Sequence, residues 1–329
     1  MNSNYKSAIL GIGMAVPSKV LTNFDLEKMV DTSDEWITTR TGIKERRIAS
    51  SEESASVLAY KASLEALKRA SLKPKDLDCI IVATITPDNN FPSTACYLQK
   101  YLKAPNVSCL DISAACAGFV YGLVLAKSLV VSGIYNTVLV AGSEVLSVIT
   151  DWQDRSTCVL FGDGAGAAVV VGCNKGGIVS SYLGGDGNLG ELLILPAGGS
   201  RIPTSMETVK KRLHYIKMEG REVFKHAVRI MVDSALKALK KVNLNSQDIS
   251  WFIPHQANMR IIKAVAERLN LDMSKVYVNI HRYGNMSSAS TAVALCEAYE
   301  EGKIKPKDIV VLDAFGGGLV WGSCVIEWV

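Results

Sequence analysis

Apolar residues fill consecutive positions in several short stretches of the chain, and longer stretches with helical spacing separate them. The clearest runs are Asp78–Ala83, Thr137–Ala141, Ala167–Val171 and Asp308–Leu312. A strand that is apolar at consecutive positions is typical of a sheet covered on both faces. The alternation of these strands with helices therefore predicts an α/β fold.

The order of predicted elements repeats along the chain. Residues 64–81 and 236–253 each read helix, loop, strand, at an offset of 172 residues. The stretch Gly172–Gly177 is rich in turn residues and is the expected boundary between the two copies. We predict two similar halves, residues 1–174 and 175–329, which stay together because either half alone would expose an apolar sheet face.

Two glycines provide a finer alignment of these halves. Gly133 and Gly302 each follow a predicted helix of similar length, where a glycine commonly forms the C-cap. Aligning them places Cys116 opposite Asn285. We therefore expect these two residues at equivalent helix starts.

Cys116 lies where a predicted strand runs directly into a predicted helix, within Val107–Tyr121. The unpaired N–H groups and the dipole of a helix N-terminus favour an anion. We therefore expect the pKa of the Cys116 thiol to fall below about 8.5. A thiolate in this position would be a nucleophile for acyl transfer.

Two further segments each place one polar side chain at a predicted strand end. Trp251–Asn258 is a short apolar strand that ends at His255, and Val276–Ser290 reads strand, turn, helix and contains Asn285. Together with Cys116, these residues allow two kinds of chemistry. Asn285 could orient His255 as a base, as in a cysteine protease, or both side chains could donate hydrogen bonds to one carbonyl and stabilise an enolate.

Composition excludes several classes of function. The chain has 36 basic and 32 acidic residues, and its net charge of +4 gives no reason to propose a nucleic-acid partner. Eight cysteines without a Cys-x-x-Cys pair indicate reduced thiols in a cytoplasmic protein, and no Cys or His spacing fits a zinc site. The polar start, residues 1–7, is unlike a secretion signal. The apolar stretch 117–131 contains Lys127 and is too short to span a membrane.

Four segments together resemble β-ketoacyl-acyl carrier protein synthase III, the initiating condensing enzyme of bacterial fatty-acid synthesis. They are Ala114–Phe119, Pro254–Asn258, Gly284–Ser290 and Ala314–Gly318. The resemblance extends over essentially the whole chain, with its motifs in the family's order. It implies a thiolase-like fold of five αβαβα layers, built from two duplicated halves.

The resemblance also implies a reaction in two steps. Cys116 takes an acyl group, expected to be acetyl or another short primer, from acyl-CoA, while the backbone N–H groups of Cys116 and Gly317 form an oxyanion hole. His255 and Asn285 then bind the thioester carbonyl of malonyl-acyl carrier protein as it loses CO2. The resulting enolate attacks the acyl-cysteine to give β-ketoacyl-acyl carrier protein, and no cofactor or metal is implied.

Binding roles follow from the same resemblance. Trp36 and Arg155 are expected to enclose the adenine of CoA, and Arg40 to lie near its phosphates. The residues expected along the pantetheine tunnel are Gly220, Phe224 and Asn258. One departure lies beside them, since Arg221 occupies a position where some family members carry asparagine.

Two more residues are expected to act at contacts between proteins. Phe91 resembles the residue that closes the acyl pocket across the interface of a homodimer. Arg260 matches a family position that contacts the acidic carrier protein.

Three alternatives differ from this interpretation. A secondary-metabolite or polyketide ketosynthase could use the same three catalytic residues for another condensation or acyl transfer. A hydroxymethylglutaryl-CoA synthase is less favoured, because no glutamate segment matches its general acid. The intact set of Cys116, His255 and Asn285 argues against an inactive carrier-binding module. No motif fixes the length or branching of the primer.

Overall fold

The structure is a computed structural model that describes residues 6–329. Residues 1–5, which begin the segment interpreted as unlike a secretion signal, lie outside the described residues. The first seven strands are β1 (Lys6–Ala15), β2 (Val20–Thr22), β3 (Glu45–Arg47), β4 (Cys79–Ala83), β5 (Ser108–Ile112), β6 (Thr137–Val145) and β7 (Asp163–Cys173). The remaining strands are β8 (Gly177–Gly185), β9 (Leu193–Ile194), β10 (Lys217–Met218), β11 (Trp251–Pro254), β12 (Ile309–Gly316) and β13 (Val320–Glu327).

Helices connect most of these strands. The first six are α1 (Asn23–Glu27), α2 (Asp34–Thr41), α3 (Ala55–Arg69), α4 (Thr94–Leu102), α5 (Gly118–Val131) and α6 (Arg155–Cys158). The others are α7 (Met206–Lys210), α8 (Gly220–Lys240), α9 (Met259–Arg268), α10 (Ile280–Tyr283) and α11 (Ser288–Glu300).

Two main sheets form the framework. The first has the strand order β1-β7-β6-β4-β5, and the second has the order β11-β12-β13-β8. Strands β5, β4 and β6 run parallel, as do β11 and β12, whereas the other neighbours in both sheets are antiparallel. The four strands predicted from their apolar runs are confirmed as β4, β6, β7 and β12.

The elements stack in five layers, as predicted. Helices α3 and α4 cover the outer face of the first sheet, and α8 and α9 cover the outer face of the second. Helices α5 and α11 lie between the sheets, within one continuous core. The close approach of α11 requires glycine in the first sheet, because a Cβ at Gly166 would lie 2.4 Å from the Cβ of Ala292.

The two sheets share a similar connectivity. Helix α3 leads to β4 as α8 leads to β11, and the central helices α5 and α11 both end before a glycine with positive φ. These glycines are Gly133 and Gly302, the predicted C-caps. Strand β7 ends at Cys173 and β8 begins at Gly177. The division into halves at residues 174 and 175 stays a prediction.

The strand predicted at the start of Val276–Ser290 does not form. Val276 makes only an isolated bridge with Phe252. The side chain of Gln256 supplies the pairing that a strand would have made: its Oε1 accepts from the backbone N–H of Asn279 (3.0 Å) and its Nε2 donates to the carbonyl of Tyr277 (3.2 Å). A side chain thus satisfies backbone groups that would otherwise stay unpaired.

No helix among residues 6–329 combines the length and apolar character needed to cross a bilayer. All eight cysteines are free. Glu65, Cys296 and Glu300 lie close together, but the guanidinium of Arg69 already pairs with both carboxylates.

Candidate active site

Cys116 lies at the junction between β5 and α5, as predicted. It belongs to a short 3₁₀ turn, Ala115–Ala117, that leads into α5, and its side chain is buried. Gly316 packs directly against this turn, because a Cβ at that position would lie 2.5 Å from the backbone nitrogen of Cys116. The glycine at the end of β12 therefore allows two backbones to meet beside the thiol.

The predicted lowering of the Cys116 pKa is wrong in this structure. Burial raises the pKa of the thiol to about 12, the Glu144 carboxyl adds to the rise, and the Ser287 hydroxyl opposes it. Removing a thiolate from water costs more free energy than the start of one helix returns. The effect of a helix N-terminus could be predicted from the sequence, whereas the desolvation depends on which residues fold over the thiol.

His255 follows β11 and faces the same region. Its backbone N–H donates to the carbonyl of Asp313 (2.7 Å), its side chain is only 2% exposed, and neither ring nitrogen has a hydrogen-bond partner among the described residues. Burial lowers the pKa of His255 to about 3. The imidazole is therefore neutral at neutral pH and has one N–H free to donate.

Asn285 is held between α10 and α11 by backbone pairing with the segment before β7. Its N–H donates to the carbonyl of Leu160 (2.8 Å), and its carbonyl accepts from the N–H of Gly162 (2.9 Å). Its side-chain Oδ1 accepts from the N–H of Ser287 (2.8 Å), which leaves the Nδ2 amide as a donor. Because Oδ1 is occupied and His255 is unpaired, this arrangement does not match an Asn-oriented catalytic base.

One cavity of about 110 Å³ joins the three predicted catalytic residues. Cys116, His255 and Asn285 all line it. The predicted tunnel residues that also line it are Gly220, Phe224 and Asn258. The structure thus brings together six predicted residues from four segments that lie far apart in the sequence.

A second cavity, of about 400 Å³, opens on another side of Cys116. Gly317 lines it, together with Gly190 and with Leu193–Leu195, which include β9. Its other apolar lining residues include Ile85, Leu146, Ile149, Phe161, Ile216 and Val320. An apolar chain attached to the Cys116 sulfur would be sheltered from water here.

The three residues predicted to bind the adenine and phosphates of CoA form one cluster. The guanidinium groups of Arg40 and Arg155 lie 4.9 Å and 5.0 Å from the ring centroid of Trp36. Arg155 also donates to the carbonyl of Asp31 (2.8 Å). An aromatic ring with two exposed cations suits an adenine ring and its phosphates.

The residues predicted at protein contacts lie outside the cavities. Arg260 is exposed at the start of α9, with its guanidinium 5.4 Å from the ring of Phe224. Phe91 is 86% exposed and lines neither cavity beside Cys116 in a single chain. Arg221 is exposed on α8, and nothing in the structure explains its presence there.

Sequence reasoning missed two polar residues beside the thiol. Glu144 is the only charged residue in the buried strand β6, which was a usable signal, and Ser287 lies two residues after Asn285. Both affect the pKa of Cys116. Their convergence could not be read from the sequence, because 143 positions separate Ser287 from Glu144.

Two segments match models of a known family. Residues 110–187 match the model described as 3-oxoacyl-[acyl-carrier-protein (ACP)] synthase III, and residues 239–328 match the model of its C-terminal part. The beta-ketoacyl-[acyl-carrier-protein] synthase III of Caldanaerobacter subterraneus is 59% identical over 323 residues, which cover 98% of each chain.

Solved structures show the same similarity. The 3-oxoacyl-[acyl-carrier-protein] synthase III of Aquifex aeolicus is 50% identical, with a TM-score of 0.91 over 98% of this chain and 100% of that chain. The priming beta-ketosynthase of the R1128 polyketide pathway is 34% identical, with a TM-score of 0.90 over 98% of this chain and 96% of that chain.

Proposed function

Because the chain belongs to the 3-oxoacyl-[acyl-carrier-protein] synthase III family, we propose that Cys116, His255 and Asn285 divide a two-step condensation between them. The protein is an acyltransferase and a condensing enzyme of fatty-acid synthesis. One observation carries the assignment of residues: the three side chains line one cavity, and Cys116 alone of the three also lines the larger apolar cavity.

In the first step, the sulfur of Cys116 attacks the thioester carbonyl of an acyl-CoA. The backbone N–H groups of Cys116 and Gly317 stabilise the oxyanion that forms. The C–S bond to CoA then breaks, CoA leaves as its thiol with the proton that Cys116 gives up, and the acyl group stays on the enzyme. The acyl chain occupies the 400 Å³ cavity.

In the second step, the malonyl-pantetheine arm of malonyl-acyl carrier protein enters the 110 Å³ cavity. Neutral His255 and the amide of Asn285 donate hydrogen bonds to its thioester carbonyl. As the carboxylate leaves as CO2, the electron pair moves into an enolate that these donors stabilise. The enolate carbon attacks the acyl-cysteine carbonyl, and the C–S bond breaks to give β-ketoacyl-acyl carrier protein and the Cys116 thiolate, which takes up a proton from water.

The remaining predicted residues bind the two carriers. Trp36, Arg40 and Arg155 hold the nucleotide of CoA outside the cavity. The residues that guide the pantetheine arm are Gly220, Phe224 and Asn258. The reaction needs no metal or cofactor, and the proposed compartment is the cytoplasm, which keeps thiols reduced.

The primer is proposed to be acetyl-CoA or another short acyl-CoA. A panel of straight and branched acyl-CoA primers, each with malonyl-acyl carrier protein, tests this by the rate of β-ketoacyl product formation. Rates that are highest with short primers are expected. Product formed only from primers on a carrier protein, or only with an extender other than malonyl-acyl carrier protein, would overturn the assignment.

A polyketide or secondary-metabolite ketosynthase is the second candidate. The polyketide priming enzyme is 34% identical to this chain, whereas the synthase III of Caldanaerobacter subterraneus is 59% identical. This difference favours fatty-acid synthesis. Activity restricted to a carrier protein of a secondary pathway would reverse the preference.

The chain is further proposed to act as a homodimer. Strand β5 is an edge strand of the first sheet, and Phe91 is 86% exposed in one chain. An exposed strand edge can pair with a second copy, and a large exposed apolar side chain is commonly covered by a partner. Phe91 would then close the acyl cavity of the partner subunit.

Phe91→Ala is expected to lengthen the preferred primer, because it removes the ring that closes the far end of the cavity. The ratio of rates with a longer and a short acyl-CoA measures this, alongside the molar mass in solution. As a matched control, Phe24→Ala removes another exposed phenylalanine and should leave the ratio unchanged. A monomeric protein, or an unchanged ratio for Phe91→Ala, would contradict the proposal.

Arg260→Glu is expected to raise the apparent KM for malonyl-acyl carrier protein severalfold, weaken its salt dependence, and leave primer transfer from acyl-CoA nearly unchanged. Reversing a surface charge mainly slows association with an oppositely charged partner. Both half-reactions, measured at low and high salt, check this. Arg268→Glu reverses an exposed charge at the other end of α9 and serves as the control.

Equal losses in the two half-reactions would mean that Arg260 supports the tunnel through its contact with Phe224. Unchanged kinetics with the carrier protein would mean that Arg260 has no role in docking.

A further inference from the structure

One arginine is completely buried without an acidic partner. Arg46, in β3, has no exposed surface, and none of the ion pairs among residues 6–329 includes it. Burial lowers the pKa of its guanidinium to about 10, so the group stays charged at neutral pH. A buried charge without a counter-ion is costly and is kept only where hydrogen bonds compensate for the lost water. The contacts of Arg46 show what it holds in place.

The guanidinium joins three segments of the chain through neutral oxygens. Its Nη1 donates to the carbonyl of Leu21 (3.1 Å) in β2 and to Oδ1 of Asn23 (2.9 Å) in α1. Its Nη2 donates to the carbonyl of Val159 (2.8 Å), 113 positions further along the chain. The planar fork of a guanidinium can hold several acceptors at once, which a single ammonium group cannot do in the same geometry.

Val159 begins the segment that pairs with Asn285. The carbonyl of the next residue, Leu160, accepts from the backbone N–H of Asn285 (2.8 Å). Two residues later, the N–H of Gly162 donates to the carbonyl of Asn285 (2.9 Å). A displacement of residues 159–162 would therefore carry the backbone of Asn285 with it.

The stem of Arg46 packs against this pairing from the other side. A Cβ at Gly162 would lie 3.0 Å from the Cβ of Arg46, and a Cβ at Gly284 would lie 3.3 Å from it. Gly284 has φ +66° and ψ −158°, a conformation almost restricted to glycine. Arg46 thus contacts the residue just before Asn285 with its stem and holds the opposite segment with its guanidinium.

We propose that Arg46 is a positioning residue that fixes the Asn285 amide for the second half-reaction through residues 159–162. Arg46 lines neither cavity beside Cys116, so it acts without touching the substrate. The inference rests on the proposed role of Asn285 as an enolate donor. Because primer transfer uses backbone N–H groups instead, loss of the Arg46 contacts should slow condensation and spare acylation.

Arg46→Lys is the first test, because lysine keeps the charge but cannot hold acceptors on all three segments. We expect condensation at saturating malonyl-acyl carrier protein to slow by about tenfold or more, since a slightly misplaced donor weakens the transition state. The KM for malonyl-acyl carrier protein and the rate of acylation should stay within about twofold of the parent. Acylation is measured with acyl-CoA alone, and condensation from the preformed acyl-enzyme.

Arg46→Met removes the charge and every donor while keeping an unbranched side chain. It should show the same division between the half-reactions with a larger loss of condensation. The double variant Arg46→Lys/Asn285→Ala should condense no more slowly than Asn285→Ala alone, because Arg46 acts only through that amide. A general weakening of the fold would instead multiply the two losses.

Hydrogen exchange tests the positioning without any substrate. The amides of Gly162 and Asn285 donate the two hydrogen bonds that pair their segments. In Arg46→Lys, mass spectrometry of the peptides that contain them should show exchange at least about tenfold faster than in the parent. The peptide that contains β4 should exchange at the parent rate, since Arg46 makes no hydrogen bond to that strand.

Arg69→Lys is the matched control. Arg69 also bridges separate elements, because it pairs with Glu65 in α3 and with Glu300 in α11, but it lines neither cavity beside Cys116. Leu98→Ala is a control for lost stability, since it removes a completely buried side chain from α4 and should lower the melting temperature. Both controls should leave the ratio of the condensation rate to the acylation rate unchanged.

Four results would overturn the inference. Acylation could slow as much as condensation in Arg46→Lys, or the double variant could lose a further factor of about ten relative to Asn285→Ala. Exchange at Asn285 could stay at the parent rate, or Arg46→Lys could fail to fold, which would make Arg46 a requirement of the fold instead of one half-reaction. Unchanged condensation in Asn285→Ala would refute the proposed function of that residue. Faster exchange at Gly162 and Asn285 would then still show that Arg46 fixes this backbone.

Discussion

Cys116→Ala is expected to abolish transfer of the acyl group from acyl-CoA, by at least about a thousandfold, while malonyl-acyl carrier protein is still decarboxylated. The sulfur is the only group that can hold the acyl chain, but the donors that stabilise the enolate are on His255 and Asn285. Acyl-enzyme is measured by mass spectrometry, and decarboxylation by release of CO2. Cys173→Ala, which removes a thiol at the end of β7, should retain both activities.

Loss of both activities in a folded Cys116→Ala variant would contradict this division of labour. It would mean that the thiol also takes part in enolate formation. Retained primer transfer would remove Cys116 from the reaction altogether and leave the apolar cavity beside it without an assigned role.

The strands of the two main sheets could be predicted from the sequence, because a strand buried on both faces is apolar at consecutive positions. Strands β4, β6 and β12 are apolar at consecutive positions, and each is enclosed by helices in the structure. Glycines at chain reversals, such as Gly133 and Gly302, mark where the central helices end. These signals are local, so they need no knowledge of what packs against them.

Side chains that replace backbone pairing are harder to predict. Gln256 holds Tyr277 and Asn279 at a position where the apolar pattern predicted a strand. Strand pairing and the Gln256 side chain can satisfy the same backbone N–H and C=O groups. The apolar pattern does not distinguish between these two ways of pairing them.

The electrostatics of the site depend on contacts between distant segments. The prediction for the Cys116 pKa used only the adjacent helix, whereas the desolvation comes from segments that fold over the thiol, with Glu144 adding to the rise. The cluster of Trp36 and Arg155 likewise joins residues 119 positions apart and was predicted only through the family resemblance. Local pattern therefore predicts where a reactive group lies better than it predicts its charge.

The charge state of His255 determines how the rate of the second half-reaction should depend on pH. Its pKa of about 3 keeps the imidazole neutral throughout the usual assay range, so it serves as a hydrogen-bond donor. An exposed histidine titrates near pH 6.5. Because His255 does not, the rate of condensation should not fall near that pH through protonation of this residue. The pKa of His255 is lower in the folded state than in the unfolded state. Any contribution of His255 to the free energy of unfolding is therefore present above pH 6.5 and is lost as the pH falls towards 3.

His255→Ala and Asn285→Ala are each expected to leave the acyl-enzyme detectable and to slow condensation by roughly a hundredfold or more, the scale for losing one oxyanion donor. Primer transfer uses backbone N–H groups at Cys116 and Gly317, which neither substitution removes. Single-turnover acylation and condensation, measured separately, check this, with exposed His281→Ala as the control. If acylation failed while decarboxylation survived, His255 would act as the base for the thiol. The Oδ1 of Asn285 already accepts from Ser287, and the ring of His255 has no partner among residues 6–329. Both observations favour the opposite result, because the Nδ2 of Asn285 and an N–H of His255 can then donate to one carbonyl.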